Sequence, residues 1–184
     1  YYGPQDINAF TASIKKQHAL PKAFTPAAPA KSYTYSVQDT NRVYFANYDM
    51  VQSEIRWLRN AGLYNKDDAA TIEVFNNYFG GGMGSVVFQT IRESKALAYS
   101  TFATFATPDK SDKQYRMIAY VGSQADKMND AVAGMNELLN QLPENEKSFE
   151  GAKINLLSNY ESARVLKDAA FSNYFADKKL GYDY

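Results

Sequence analysis

Apolar residues recur along this chain at two spacings, about 3.6 and 2, and the changes between them divide it into elements. Tyr1-Tyr2 ahead of Gly3-Pro4 reads as the tail of a strand ending in a turn. Asp6 then offers a cap, with Ile7, Phe10 and Ile14 on one face of a first helix. Pro21, Pro26 and Pro29 make residues 20–30 an extended connector. Lys31 to Val37 and Arg42 to Tyr48 alternate as strands do around Asp39-Thr40-Asn41, predicting an antiparallel hairpin.

A helical region is expected from about Ser53 to Gly62. After Asn65-Lys66-Asp67-Asp68, rich in cap residues, Ile72, Phe75, Asn76 and Phe79 share a helical face. Gly80-Gly81-Gly82-Met83-Gly84 ends that helix and Ser85 to Lys95 restarts one. Strands are predicted at Tyr99 to Ala106 and Tyr115 to Val121, with Pro108-Asp109 in the turn between them. Ser123-Gln124-Ala125-Asp126 resembles a capping box for a helix to about Leu142. Pro143 to Asn145 breaks it, and Glu146 to about Lys179 reads as one long or kinked helix. The expected order is β-α-β-β-α-α-β-β-α-α. That is an α+β fold, an antiparallel sheet packed by helices, in a single domain over residues 1–184.

Composition narrows the function. At 45% hydrophobic and 22% charged the chain suits a folded domain, so wholesale disorder is excluded. Twenty basic residues balance twenty acidic ones, which leaves no global pull toward nucleic acid. No apolar run reaches the roughly 20 residues of a membrane-spanning helix. There is no cysteine and one histidine, His18, so thiol catalysis and His- or Cys-rich metal sites are excluded in this chain.

The glycine cluster lacks the strand before it and the Lys-Ser/Thr after it that a phosphate-binding loop requires. Ordinary helix termination, with glycine adopting positive φ, accounts for it. Read alone, Arg92 is a solvated helix charge and Tyr99 a sheet aromatic.

The stretch Asn77-Tyr78-Phe79-Gly80-Gly81-Gly82-Met83-Gly84-Ser85, continued through Arg92-Glu93-Ser94-Lys95-Ala96-Leu97-Ala98-Tyr99-Ser100, resembles the insulinase (pitrilysin) family of zinc metallopeptidases. That family shows a glycine-rich turn, a Ser, an apolar helix and then Arg-Glu-x-x-Gly-Leu-Ala-Tyr-Ser. Ala96 stands where the family usually has Gly, and Met83-Gly84 replace commoner residues. The family's His-x-x-Glu-His zinc motif is absent, so the resemblance is to the non-zinc-binding, C-terminal-type half.

The resemblance implies that Arg92 and Tyr99 contact the substrate and complete a zinc site carried by a homologous partner domain. Arginine can fork two hydrogen bonds onto peptide carbonyls, and a tyrosine hydroxyl is a neutral donor suited to an oxyanion. Gly80, Gly81, Gly82 and Ser85 are the expected peptide-binding turn, and no metal is expected in this chain. The implied parent is a longer multi-domain peptidase of which this chain is a fragment, inactive by itself. A scaffold homologue that has lost proteolysis and a generic aromatic-rich binding module are the alternatives. The residues do not choose a compartment, and a bacterial periplasm or cell envelope is no more than a guess.

Overall fold

The computed structural model describes every residue except Tyr2, Leu20, Lys22, Ser32, Thr34, Val37 and Tyr184. Its first helix, α1 (Ile7–Gln17), starts where the sequence indicates: the Asp6 carboxylate accepts from the amides of Asn8 and Ala9 at 2.9 and 3.2 Å. Tyr1 is not in a strand; its ring stacks on Phe10 at 3.9 Å.

The expected hairpin does not form among the described residues of 31–48. Val43, Tyr44, Phe45 and Tyr48 lie exposed and are not in strands. Gln38 instead lays its amide along the edge of the next strand, β1 (Gln52–Leu63). Its Oε1 accepts from the Asn60 amide at 2.7 Å and its Nε2 donates to the Leu58 carbonyl at 3.3 Å.

β1 itself corrects the helix expected at 53–62. Ser53, Ile55 and Trp57 turn partly inward while Glu54, Arg56 and Leu58 turn outward, a period of two. Pairing with β3 (Gln114–Gln124) sets that period, because Ile55 lies opposite Val121 and Trp57 opposite Ala119. β2 (Ser100–Ala106) pairs on the other side of β3, with Ala103 opposite Ala119. The result is an antiparallel three-stranded sheet of order β1-β3-β2.

Helices cover one face of it. After a 3-10 turn at Lys66–Asp68 comes α2 (Ala69–Phe79), which buries Ile72, Tyr78 and Phe79. A π-helix over Phe88–Ser94 buries Ile91, and α3 (Met128–Asn140) buries Ala131, Met135 and Leu138. All of these except Ile72 meet Ala103, Ala119 and Val121 of the sheet in one core. Each large one contributes about 2 kcal/mol by leaving water. The fold is therefore α+β, an antiparallel sheet packed by helices.

Two further boundaries depart from expectation. Ser123 does not cap a helix: it is fully buried in β3, and the helical part begins with a 3-10 turn at Ala125–Lys127. The expected helix from Glu146 to Lys179 is two, α4 (Glu146–Ser162) and α5 (Lys167–Lys179). Ala163 is extended at their junction, with φ −62° and ψ 134°.

Candidate functional site

The glycine turn joins α2 to the π-helix. Gly80 is buried against β2, and a Cβ there would collide with the Ala103 carbonyl. Gly81 donates its amide to the Asn76 carbonyl at 2.7 Å, and Gly82 adopts φ +96°. Ser85 is buried: its hydroxyl donates to the Gly82 carbonyl at 2.8 Å and accepts from the Phe88 amide at 3.4 Å. Gly82 and Ser85 are thus brought together, and their hydrogen bonds begin the following helix.

That helix carries Arg92 in its last turn. The guanidinium lies over the Phe88 ring at 4.8 Å and its Nε is 3.8 Å from Glu93, with the side chain 45% exposed. π-Helical turns of this kind recur at functional sites. Chain direction then reverses through Lys95-Ala96-Leu97-Ala98, where Ala96 has φ +48°. Side-chain bonds hold this loop to α3 and to the end of β3 and the turn after it. Lys95 Nζ bonds Glu137 Oε2 of α3 at 2.8 Å, Lys127 Nζ donates to the Ala96 carbonyl at 3.1 Å, and Ser123 Oγ donates to the Leu97 carbonyl at 2.6 Å. The ammonium beside Glu137 holds its carboxyl below the usual carboxylate range.

Tyr99 ends the loop. Its amide donates to the Gly122 carbonyl at 2.9 Å, fixing the backbone to β3, and its ring is 55% exposed. The phenol oxygen accepts from Gln124 Nε2 at 2.7 Å. Tyr99, Gln124 and Lys127, with Ala96, Leu97 and Ala98, line a polar cleft of about 100 Å³. Arg92 is not among the residues lining that cleft. In the sequence Gln124 is only part of a capping-box stretch and Lys127 carries no motif, so the pairing of β3 beside the loop is what reveals them.

His18 is exposed at the end of α1. Among the described residues, no three of the His, Cys, Asp and Glu side chains are grouped to hold a metal. The described residues thus offer no donor set for zinc. No helix among the described residues is long and apolar enough to cross a membrane.

Residues 5–156 match the family model described as peptidase M16 inactive domain. The chain belongs to this family. The match agrees with the resemblance of Asn77–Ser100 to the non-zinc-binding type of domain. The M16 inactive domain from Pseudomonas fluorescens superposes with a TM-score of 0.55 at 16% identity, over 72% of this chain and 32% of that one. A protease from Helicobacter pylori gives 0.66 at 16% identity, over 96% and 44%. A conserved protein from Enterococcus faecalis gives 0.56 at 22%, over 70% and 30%. At these identities the likeness is one of fold. This M16 domain therefore spans about a third to less than half of the length of those solved chains. No curated protein matches it.

Proposed function

We propose that this M16 domain is the substrate-contacting, non-metal half of a zinc peptidase, orienting unfolded peptide toward a zinc site on a homologous partner domain. It is one domain of a longer protein, and the partner domain lies in the same polypeptide or in a separate subunit. Zinc on that partner would polarise the scissile carbonyl and activate water; nothing assigned to this chain passes through the metal.

The supporting observation is the treatment of the segment from Arg92 to Tyr99. Its backbone is held by Lys127, Ser123 and Gly122, while the side chains of Arg92 and Tyr99 are each about half exposed. A fixed backbone carrying exposed donors suits recognition of an extended peptide. Arg92, always charged, forks onto peptide carbonyls; Tyr99 donates its hydroxyl proton to oxygen as negative charge gathers there. Of the expected peptide-binding turn, Gly81 and Gly82 are exposed to meet the peptide, while the buried Gly80 and Ser85 shape the turn from beneath.

The test is cleavage of an unstructured peptide by the full-length protein with its partner domain, with and without chelator. Arg92→Ala and Tyr99→Phe, at unchanged stability, are each expected to lower kcat/KM about 10²–10³-fold. Chelator-sensitive cleavage untouched by either change would sink both roles. No cleavage and no bound zinc would favour the scaffold homologue.

A further inference from the structure

Tyr99 has a companion that the family motif does not contain. A half-exposed phenol on a surface loop ordinarily samples several χ1 rotamers, and each wrong one removes its hydroxyl from the substrate. Here Gln124, the last residue of β3, donates from Nε2 to the phenol oxygen at 2.7 Å. Both backbones are fixed independently of this bond, Gln124 by pairing with Gln52 and Tyr99 by its amide on Gly122. The side-chain bond therefore sets the direction of the ring.

A phenol oxygen has one proton to give and lone pairs to receive. We propose that Gln124 is a positioning residue for Tyr99, filling a lone pair on the hydroxyl so that its proton stays available for the substrate oxygen. This rests on the oxyanion role proposed for Tyr99. Accepting one hydrogen bond also polarises the O–H and strengthens the bond it donates. Lys127 is the charged residue that lines the same cleft, and its ammonium is engaged by the Ala96 carbonyl. Among the described residues, no carboxylate lines the cleft to turn the hydroxyl proton inward.

Glutamate at position 124 would do that. Nearly isosteric with glutamine, its ionised carboxylate can only accept, so Tyr99 would donate inward and lose its catalytic proton. The experiment uses the full-length protein with its zinc-bearing partner, comparing wild type, Gln124→Glu, Gln124→Leu, Tyr99→Phe and Tyr99→Phe/Gln124→Glu on an unstructured peptide. Gln124→Glu is expected to lower kcat about tenfold at pH 8 with KM within about twofold. Its deficit relative to wild type should shrink as the pH falls through about 4–5, where the carboxyl regains a proton. Gln124→Leu should show a smaller, pH-independent deficit, and Gln124→Glu should add nothing in the Tyr99→Phe background.

A readout independent of turnover is the 19F resonance of 3-fluorotyrosine placed at position 99. Its titration should move to higher pH in Gln124→Glu. If Gln124→Glu matches wild type in kcat and in that titration, or costs as much without the Tyr99 hydroxyl, the positioning role is overturned while that of Tyr99 stands. If Tyr99→Phe itself cleaves normally, the role of Tyr99 is what fails.

Discussion

The side-chain amide of Asn76 stands in for a fourth strand beside Phe105. Its Oδ1 accepts from the Phe105 amide at 2.7 Å and its Nδ2 donates to the Phe105 carbonyl at 3.1 Å. Both backbone groups on the outer edge of β2 are satisfied at that residue, and α2 is fixed against the strand. An apolar residue would fill the same helical position but leave Phe105 unpaired.

Asn76→Ala should therefore destabilise the domain by about 2 kcal/mol, since it strands a donor and an acceptor together. Asn76→Asp keeps the acceptor and should lose less at neutral pH. Urea unfolding of the two variants, followed by circular dichroism, checks the order.

Gly80→Ala should be the more damaging glycine change. The new methyl would meet the Ala103 backbone, which cannot move without breaking the pairing of β2 with β3. A loss of about 3 kcal/mol or more is expected. Gly84→Ala, facing open space, should cost little, and a shared denaturation series distinguishes them.

Ala96→Gly should stabilise. Ala96 sits at φ +48°, where a Cβ costs about 1 kcal/mol and glycine is at ease. The melting temperature should rise by a few degrees. An unchanged or lower value would mean that the loop carries no strain at this residue.

Alkaline stability should depend on Tyr64. Burial, then the neighbouring hydroxyl of Tyr182 and the charge of Asp177, raise its phenol above the ordinary value of about 10. A folded pKa above the unfolded one gives stability that is complete below pH 10 and is lost as the pH rises toward the folded value. Tyr64→Phe should flatten that alkaline decline and leave the acid side unchanged. Unfolding free energies measured from pH 7 to 11 test it.

Much of the fold was legible because local signals agreed with tertiary demands. Asp6 before Ile7 gave α1, and the glycine cluster gave the end of α2. Alternation gave β2 and β3, where tertiary pairing reinforces the period. The expectation failed at 53–62, where Ser-Glu-Ile-Arg-Trp-Leu-Arg can serve a helix or a strand and pairing with β3 chose the strand. It also failed at 31–48, because alternation shows what could pair and not whether an edge is free. Gln38, a residue with no strand signal, takes that edge at Leu58 and Asn60. The break at Ala163 has neither glycine nor proline to mark it.

By itself the sequence determined the family and the two side chains with which the site is proposed to act. A glycine turn, an apolar helix and Arg92 and Tyr99 at a fixed spacing are local, ordered features that survive in one dimension. Tertiary structure decided what holds them. Gln124 meets Tyr99, Lys127 meets Ala96 and Ser123 meets Leu97 because β3 and the turn after it lie beside the loop, 25 to 31 residues away in the chain. Such bonds depend on register and on which sheet edge stays free. Register is a collective choice of the whole sheet, and no single segment encodes it.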